Sequence, residues 1–268
     1  MFFVRLYVIY NTENIFKEIT MKNKRLVLAF ILITLMNPFS AAAQERISVA
    51  VAANFISAFK EIAADFEKKT GVKVEGTFSS TGNLYSQIKN GAPYDVFLSA
   101  DEQRPELLQK EGFTEGTFIY ARGQTILWSA NEDFCKASTW KDALKNDKIK
   151  KIAIANPLTA PYGASAKAAL QNAGLWEELQ SKLINGQDIA QAFQYASTRA
   201  VDAGFCALSA TSSPHGKVGC FYYIPEAPAI VQAGCILKRT KNKIGAELFM
   251  HYMMSDPTAL VKKKHGYR

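Results

Sequence analysis

Four times along this 268-residue chain a β-rich run breaks at a loop of small polar residues and continues into a segment of helical periodicity. The junctions are Val51-Ala52-Ala53-Asn54, Phe78-Ser79-Ser80-Thr81-Gly82, Ala160-Pro161-Tyr162-Gly163 and Asn185-Gly186-Gln187-Asp188, and only the last carries a charge. Units of this kind build parallel sheets, because two parallel strands need a crossover of a dozen or more residues, usually a helix. A helix start presents unpaired N–H groups and the positive end of the helix dipole. Together these hold an anion without lysine or arginine, so several such starts converging on one point would make an oxyanion site.

The periodicity supports strands at 47–52, 73–78 and 96–98, with a helix carrying Phe55, Phe59, Ile62, Ala63 and Phe66 up to Gly71 and another carrying Leu84, Tyr85 and Ile88. A second series takes in strands at 125–129 and 151–155, helices after Tyr162-Gly163, at 176–184 and at 189–199, and a strand at 203–208. Strands at 220–224 and 229–237 follow, then a terminal helix with Ile244, Leu248, Phe249, Tyr252 and Met253 on one stripe. The expected architecture is α/β with two domains, each a mainly parallel sheet flanked by helices. The first domain is discontinuous, over 46–121 and 226–268, and the second covers 122–225. The chain crosses between them near Phe118–Arg122 and near Pro225–Ala229. Ligands of open α/β sheets sit beyond the carboxyl ends of the strands, and between two domains they sit in the cleft. All four junctions fall at such ends.

Residues 1–43 read as an upstream extension plus a leader. Lys22, Lys24 and Arg25 precede the apolar run Leu26–Met36, and Ala41-Ala42-Ala43 offers a small-residue cleavage site. The run is shorter than the ~20 residues that a membrane-spanning helix requires. The leader is expected to begin at Met21 and to be cleaved after Ala43, leaving a soluble exported protein that starts at Gln44. The full chain has 32 basic and 24 acidic side chains; without residues 1–43 it has 27 and 22, a net +5. This mild excess suits a small anion, and with no basic stripe interleaved with aromatics a nucleic-acid partner is not expected. Lys262-Lys263-Lys264 reads as the solvated end of a last helix.

Export places Cys135, Cys206, Cys220 and Cys235 in an oxidising space, where three connectivities are open. Cys206 and Cys220 lie in consecutive strand-like runs; they either pair or remain buried thiols. There is no CxxC, and His215, His251 and His265 show no ligand spacing, so neither a metal-cation site nor a cofactor is expected.

The segment Gly91-Ala92-Pro93-Tyr94-Asp95-Val96-Phe97-Leu98-Ser99-Ala100-Asp101 carries a resemblance, together with Ala52-Ala53-Asn54-Phe55, Ser80-Thr81-Gly82-Asn83-Leu84 and Lys264-His265-Gly266-Tyr267-Arg268. These blocks resemble the periplasmic molybdate-binding proteins of ABC transporters, from about Ile47 to the C-terminus. The resemblance implies a two-domain type II periplasmic binding fold, molybdate or tungstate held in the cleft, and delivery to a membrane permease by a monomeric carrier. Molybdenum would be present only as its oxyanion, with no direct protein ligand. Carried across position by position, the ligand contacts fall on Asn54 and Thr81 as side-chain donors and on Tyr162 and Ile189 as backbone N–H donors, with Ala53 and Ser80 beside them. One departure is Ala207, which stands where some members place a tyrosine after the Gly204 strand; the phenol of Tyr162 is a substitute from another loop.

Each residue also has a plainer reading. Asn54, Thr81 and Asp188 are common N-cap types, worth ~1 kcal/mol to a helix with or without a ligand. Asp95 and Asp101 read as structural, since a carboxylate repels an oxyanion. Donors without acceptors favour an anion fully deprotonated at neutral pH, which disfavours phosphate but leaves sulfate as the alternative ligand. A secreted hydrolase using Ser79 or Ser80 is disfavoured, because no histidine precedes His215 and no GxSxG elbow is present. No enzymatic activity is expected.

Overall fold

The computed structural model describes residues 45–268. The expected leader and its cleavage after Ala43 lie outside the described residues. Two five-stranded sheets organise the chain. The first is built from β1 (Arg46–Ala52), β2 (Lys73–Ser79), β3 (Val96–Leu98), β4 (Phe118–Gly123) and β10 (Ile230–Ile236), in the order β2-β1-β3-β10-β4. The second contains β5 (Thr125–Ser129), β6 (Ile152–Ala155), β7 (Leu183–Gly186), β8 (Ala203–Ala207) and β9 (Cys220–Tyr223), in the order β7-β6-β8-β5-β9.

The two sheets share one topology. In each, four strands run the same way and the fourth in the order is reversed: β10 is antiparallel to β3 and β4, and β5 to β8 and β9. Each reversed strand is the one that arrives directly from the other sheet. β4 passes to β5 through Gln124 alone, and β9 passes to β10 through residues 224–229. The α/β fold with two mainly parallel sheets is therefore borne out, and the crossings explain the exceptions.

Helix α1 (Ile56–Thr70) shows how the local pattern becomes packing. Ala58, Phe59, Ile62, Ala63 and Phe66 line its buried face, Lys68 and Lys69 occupy its last turn, and Gly71 closes it in the left-handed region at φ 76°. That conformation costs glycine little and other residues more. The buried face meets Phe249 and Met253 of the helix Lys243–Met253, with the rings of Phe66 and Phe249 edge to face at 5.2 Å. The second sheet has its own core around Leu127, Trp140, Leu144, Ile154, Leu170 and Phe205. A third cluster, rich in alanine, spans both sheets: Ala52, Ala53 and Ala100 from the first meet Ala153, Ala155, Tyr162 and Ile189 from the second. Side chains this small let the strand ends and helix starts of the two lobes come close. No helix among the described residues is long and apolar enough to cross a membrane.

Several expectations are corrected. The crossing expected near Phe118–Arg122 falls at Gln124, because Phe118–Gly123 is itself strand β4, paired with β10. The helix expected over 176–184 ends as an α-helix at Leu179, and Leu183–Gly186 instead forms β7 beside β6, where parallel pairing outcompetes a helix with little left to bury. Lys263 and Lys264 are exposed as expected, but Lys262 is half-buried and its Nζ donates to the carbonyls of Tyr120 and Met253 at 2.9 and 2.8 Å. Cys206 does not pair with Cys220. Strand β5 lies between their strands, with Ile126 opposite Cys206 and Ser129 opposite Cys220. Strands two places apart are ~9–10 Å distant, beyond disulfide reach. Cys220 is bonded instead to Cys135 of the short helical segment Glu132–Lys136, and Cys206 and Cys235 are buried thiols. Closing 85 residues of sequence, this bond restricts the unfolded chain by about 4.6 kcal/mol in the loop-entropy model. The double variant Cys135→Ala/Cys220→Ala should therefore unfold at lower denaturant with stability reduced by about that amount; an unchanged midpoint in urea would contradict it.

Candidate functional site

The four junctions meet. Asn54, Thr81, Tyr162, Ile189, Ala53 and Ser80 all line one cavity between the sheets, together with Ala52, Ala100, Ala160, Pro161 and Asp188. Its volume is about 10 Å³, the space that one water-sized sphere samples. None of its eleven lining residues is basic.

What each junction offers follows from its place at a helix start. Thr81 is the first residue of the helix Thr81–Lys89, Tyr162 the second of Pro161–Asn172, and Ile189 the first of Ile189–Ser197. N–H groups in these positions have no acceptor within their own helix. Ala53 and Asn54 open the short 3₁₀ turn Ala53–Phe55 and share that property. The helix caps are supplied by neighbours: Ser80 Oγ accepts the N–H of Asn83 at 3.4 Å, and Asp188 Oδ1 that of Gln191 at 3.0 Å. Thr81 and Asn54 are therefore not caps. The carboxylate of Asp188 is engaged by its own helix.

Thr81 Oγ1 accepts the N–H of Ala100 at 2.9 Å, which leaves its own hydroxyl hydrogen to be given elsewhere. Asn54 is held differently from its expected role as a side-chain donor. Its Nδ2 donates to Gln232 Oε1 at 2.7 Å and to the Tyr267 hydroxyl at 3.1 Å, so both amide hydrogens serve the protein. The Asn54 carbonyl accepts from Tyr267 Oη at 2.5 Å and Ser209 Oγ at 2.9 Å. The main-chain N–H of Asn54 is what remains for a ligand. The phenol of Tyr162 turns toward the crossing between the sheets: a Cβ on Gly123 would lie 2.0 Å from Tyr162 Oη. Burial raises the titration of Tyr120, Tyr162 and Tyr267 above that of ordinary phenols, so all three stay neutral.

Asp95 and Asp101 do structural work, as expected. Asp95 accepts the Ser48 N–H at 2.7 Å and the Thr240 hydroxyl at 2.6 Å; Asp101 accepts from Ser99 Oγ at 2.9 Å and the Arg104 N–H at 3.0 Å. Ala207 ends β8 within the alanine-rich cluster that holds Tyr162. A serine, a histidine and a carboxylate do meet elsewhere. Ser212 Oγ lies 2.8 Å from His265 Nδ1, and His265 Nε2 lies 2.9 Å from Glu61, whose carboxyl is held below the usual range by His265 and Lys264. This line fastens the C-terminal residues to the segment after β8.

The cleft mouth is joined directly. The Gly82 N–H donates to Thr159 O at 2.8 Å, and Arg104, ion-paired with Asp101, donates to Leu158 O at 3.3 Å. A Cβ on Gly82 would sit 3.0 Å from both Cα and O of Thr159. Sequence reasoning missed this contact, along with Gln232, Tyr120 and Ser209. The available signal for Gln232 was a lone polar side chain within the otherwise apolar or small run Ile230–Ile236. Gly82→Ala should loosen the mouth while leaving each lobe folded, so amide exchange over 156–163 should quicken with both cores still protected; unaltered exchange there would remove the contact from closure.

A family model for bacterial extracellular solute-binding proteins matches residues 47–268. The chain is similar to the molybdate-binding protein of Azotobacter vinelandii, 42% identical over 85% of this chain and 91% of that one, and to that of Rhodobacter capsulatus, 36% identical over 84% and 89%. Among solved structures it is similar to the Azotobacter vinelandii periplasmic molybdate-binding protein, with a TM-score of 0.79 at 35% identity over 83% of this chain and 98% of that one. With two lobes of one topology around a cavity of neutral donors, the chain belongs to the bacterial extracellular solute-binding protein family, in the group that holds the molybdate-binding proteins.

Proposed function

We propose that this protein captures molybdate, or tungstate, as a bare dianion between its lobes and delivers it to the membrane permease of an ABC importer. The observation that carries the reading is the convergence of helix-start N–H groups from all four junctions on one cavity without a basic side chain. The backbone N–H groups of Asn54, Thr81, Tyr162 and Ile189, and the hydroxyls of Thr81 and Ser80, are the donors. Ala53 adds a further N–H. Hydrogen bonds to a charged group contribute ~1.5–3 kcal/mol each, and micromolar affinity needs about 8 kcal/mol, so six or seven donors suffice after dehydration. The N–H donors cannot accept a hydrogen bond, which disfavours a ligand that carries a proton, as phosphate does near neutral pH. Discrimination against sulfate then falls to cavity size.

A cavity of about 10 Å³ in the joined state means that an oxyanion enters only when the lobes part. The two strand crossings are the natural axis for that motion. Binding without turnover, a monomer starting at Gln44, and residence in the periplasm complete the reading; the relatives are binding proteins.

A thermal-shift panel on the protein from Gln44 onward tests this. Molybdate and tungstate at about a hundred times their dissociation constant should add ~2.7 kcal/mol of stability, with sulfate weaker and phosphate inactive. A panel in which sulfate dominates would shift the assignment to a sulfate carrier, and no response to any of the four would end it. Thr81→Val should weaken molybdate binding about tenfold, the worth of one charge-assisted bond. It should also cost some stability, because the Ala100 N–H loses its acceptor. Thr81→Ser, which keeps the hydroxyl, should bind like the parent; calorimetry separates the two.

A further inference from the structure

Gln232 lies in the middle of β10 with no exposed surface. A buried primary amide must find hydrogen-bond partners, and those of Gln232 come from several parts of the cleft. Its Oε1 accepts from Asn54 Nδ2 at 2.7 Å and lies 3.1 Å from the Tyr120 hydroxyl; its Nε2 lies 3.4 Å from the Tyr162 hydroxyl. Asn54 is the end of the first junction. The Tyr120 hydroxyl also reaches Ser99 O at 2.9 Å, and the next residue, Ala100, holds Thr81 of the second junction. Tyr162 belongs to the third junction, in the other lobe.

The backbone is irregular at this point. Gln232 pairs with Ala121 and Ala233 with Ile119, so Tyr120 is the extra residue of a β-bulge. Bulges re-aim side chains and recur beside functional sites. Gly123, the last residue of β4, has no room for a side chain: a Cβ there would lie 2.6 Å from Gln232 Nε2.

We propose that Gln232 is a positioning residue for the anion site. Its carboxamide fixes the first and second junctions relative to the third across the crossing, so that the N–H groups of Asn54, Thr81 and Tyr162 arrive converged when the lobes close. Affinity gains because the donors need no reordering on binding, and because a hydrogen bond weakens steeply when misaligned. This inference rests on the oxyanion reading above.

The test compares Gln232→Met and Gln232→Glu with Cys235→Ala, a buried thiol on the same strand that belongs to a different core cluster. Molybdate calorimetry, ligand-release kinetics and amide exchange are read on each. Gln232→Met should bind molybdate about tenfold more weakly, with faster release and faster exchange over 52–56 and 79–83. Cys235→Ala should keep the parent's dissociation constant despite a lower melting temperature. In Gln232→Glu, a protonated carboxyl keeps both accepting and donating roles while the ionised form loses the donor. Its affinity should therefore fall about tenfold from about pH 6 to about pH 9 while the parent's stays level, and ligand-free exchange over 52–56 and 79–83 should quicken over the same range relative to the parent's, a change that repulsion between carboxylate and anion does not produce. A Gln232→Met affinity within about twofold of the parent's, or an equal loss in Cys235→Ala, overturns the proposal. If Gln232→Met does not fold, the pH profile of Gln232→Glu decides, and a level profile counts against the proposal. Should the parent bind no molybdate, the functional reading falls separately; exchange unchanged over 52–56 and 79–83 would then overturn the role of Gln232.

Discussion

The first N–H groups of a helix have no acceptor in that helix. The cleft of this protein depends on that constraint. Several such starts face one cavity, each brought there by the strand before it: β1 ends at Ala52, β2 at Ser79, β6 at Ala155 and β7 at Gly186. An anion among them finds donors and aligned dipoles but no mobile cation. The titratable groups around the site are engaged by other parts of the protein or held neutral. Asp188 is engaged by its own helix, Asp101 by Arg104, and three buried phenols are held neutral.

Bringing those starts together requires two sheets that end at the same place, and the shared topology supplies this. Each lobe lends the other its reversed strand, so the crossings lie beside the cleft and not at the far ends. The alanines of the interlobe cluster permit close approach, and Gly82 permits the contact with Thr159 at the mouth. Small residues at these points serve geometry; a larger side chain at Gly82 or Gly123 would meet backbone or a buried polar group.

Much of the fold was legible. The 3.6-residue stripe of Phe59, Ile62, Ala63 and Phe66 and the glycine after it define α1 with little ambiguity, because local periodicity and the stop signal agree. The stretch from Trp176 to Ile184 misled, since its apolar residues fit a helix as well as a strand and only a neighbouring strand chooses between them. Phe118–Gly123 misled for a related reason: an edge strand paired with β10 has its partner more than a hundred residues away. The Cys135–Cys220 bond was illegible because strand order, not sequence order, decides which cysteines are neighbours.

The candidate site divides along the same line. Chain chemistry by itself determined the strand-to-helix junctions, their lack of basic side chains and the donor types they carry, because these are properties of a few consecutive residues. Tertiary structure alone decided that the junctions share one cavity, that the Asn54 amide is given to Gln232 and Tyr267, and that Gly82 meets Thr159. Those are contacts between residues 77 to 213 positions apart. Such partners are selected by sheet order and by the packing of two lobes, and neither is encoded in any local run of sequence.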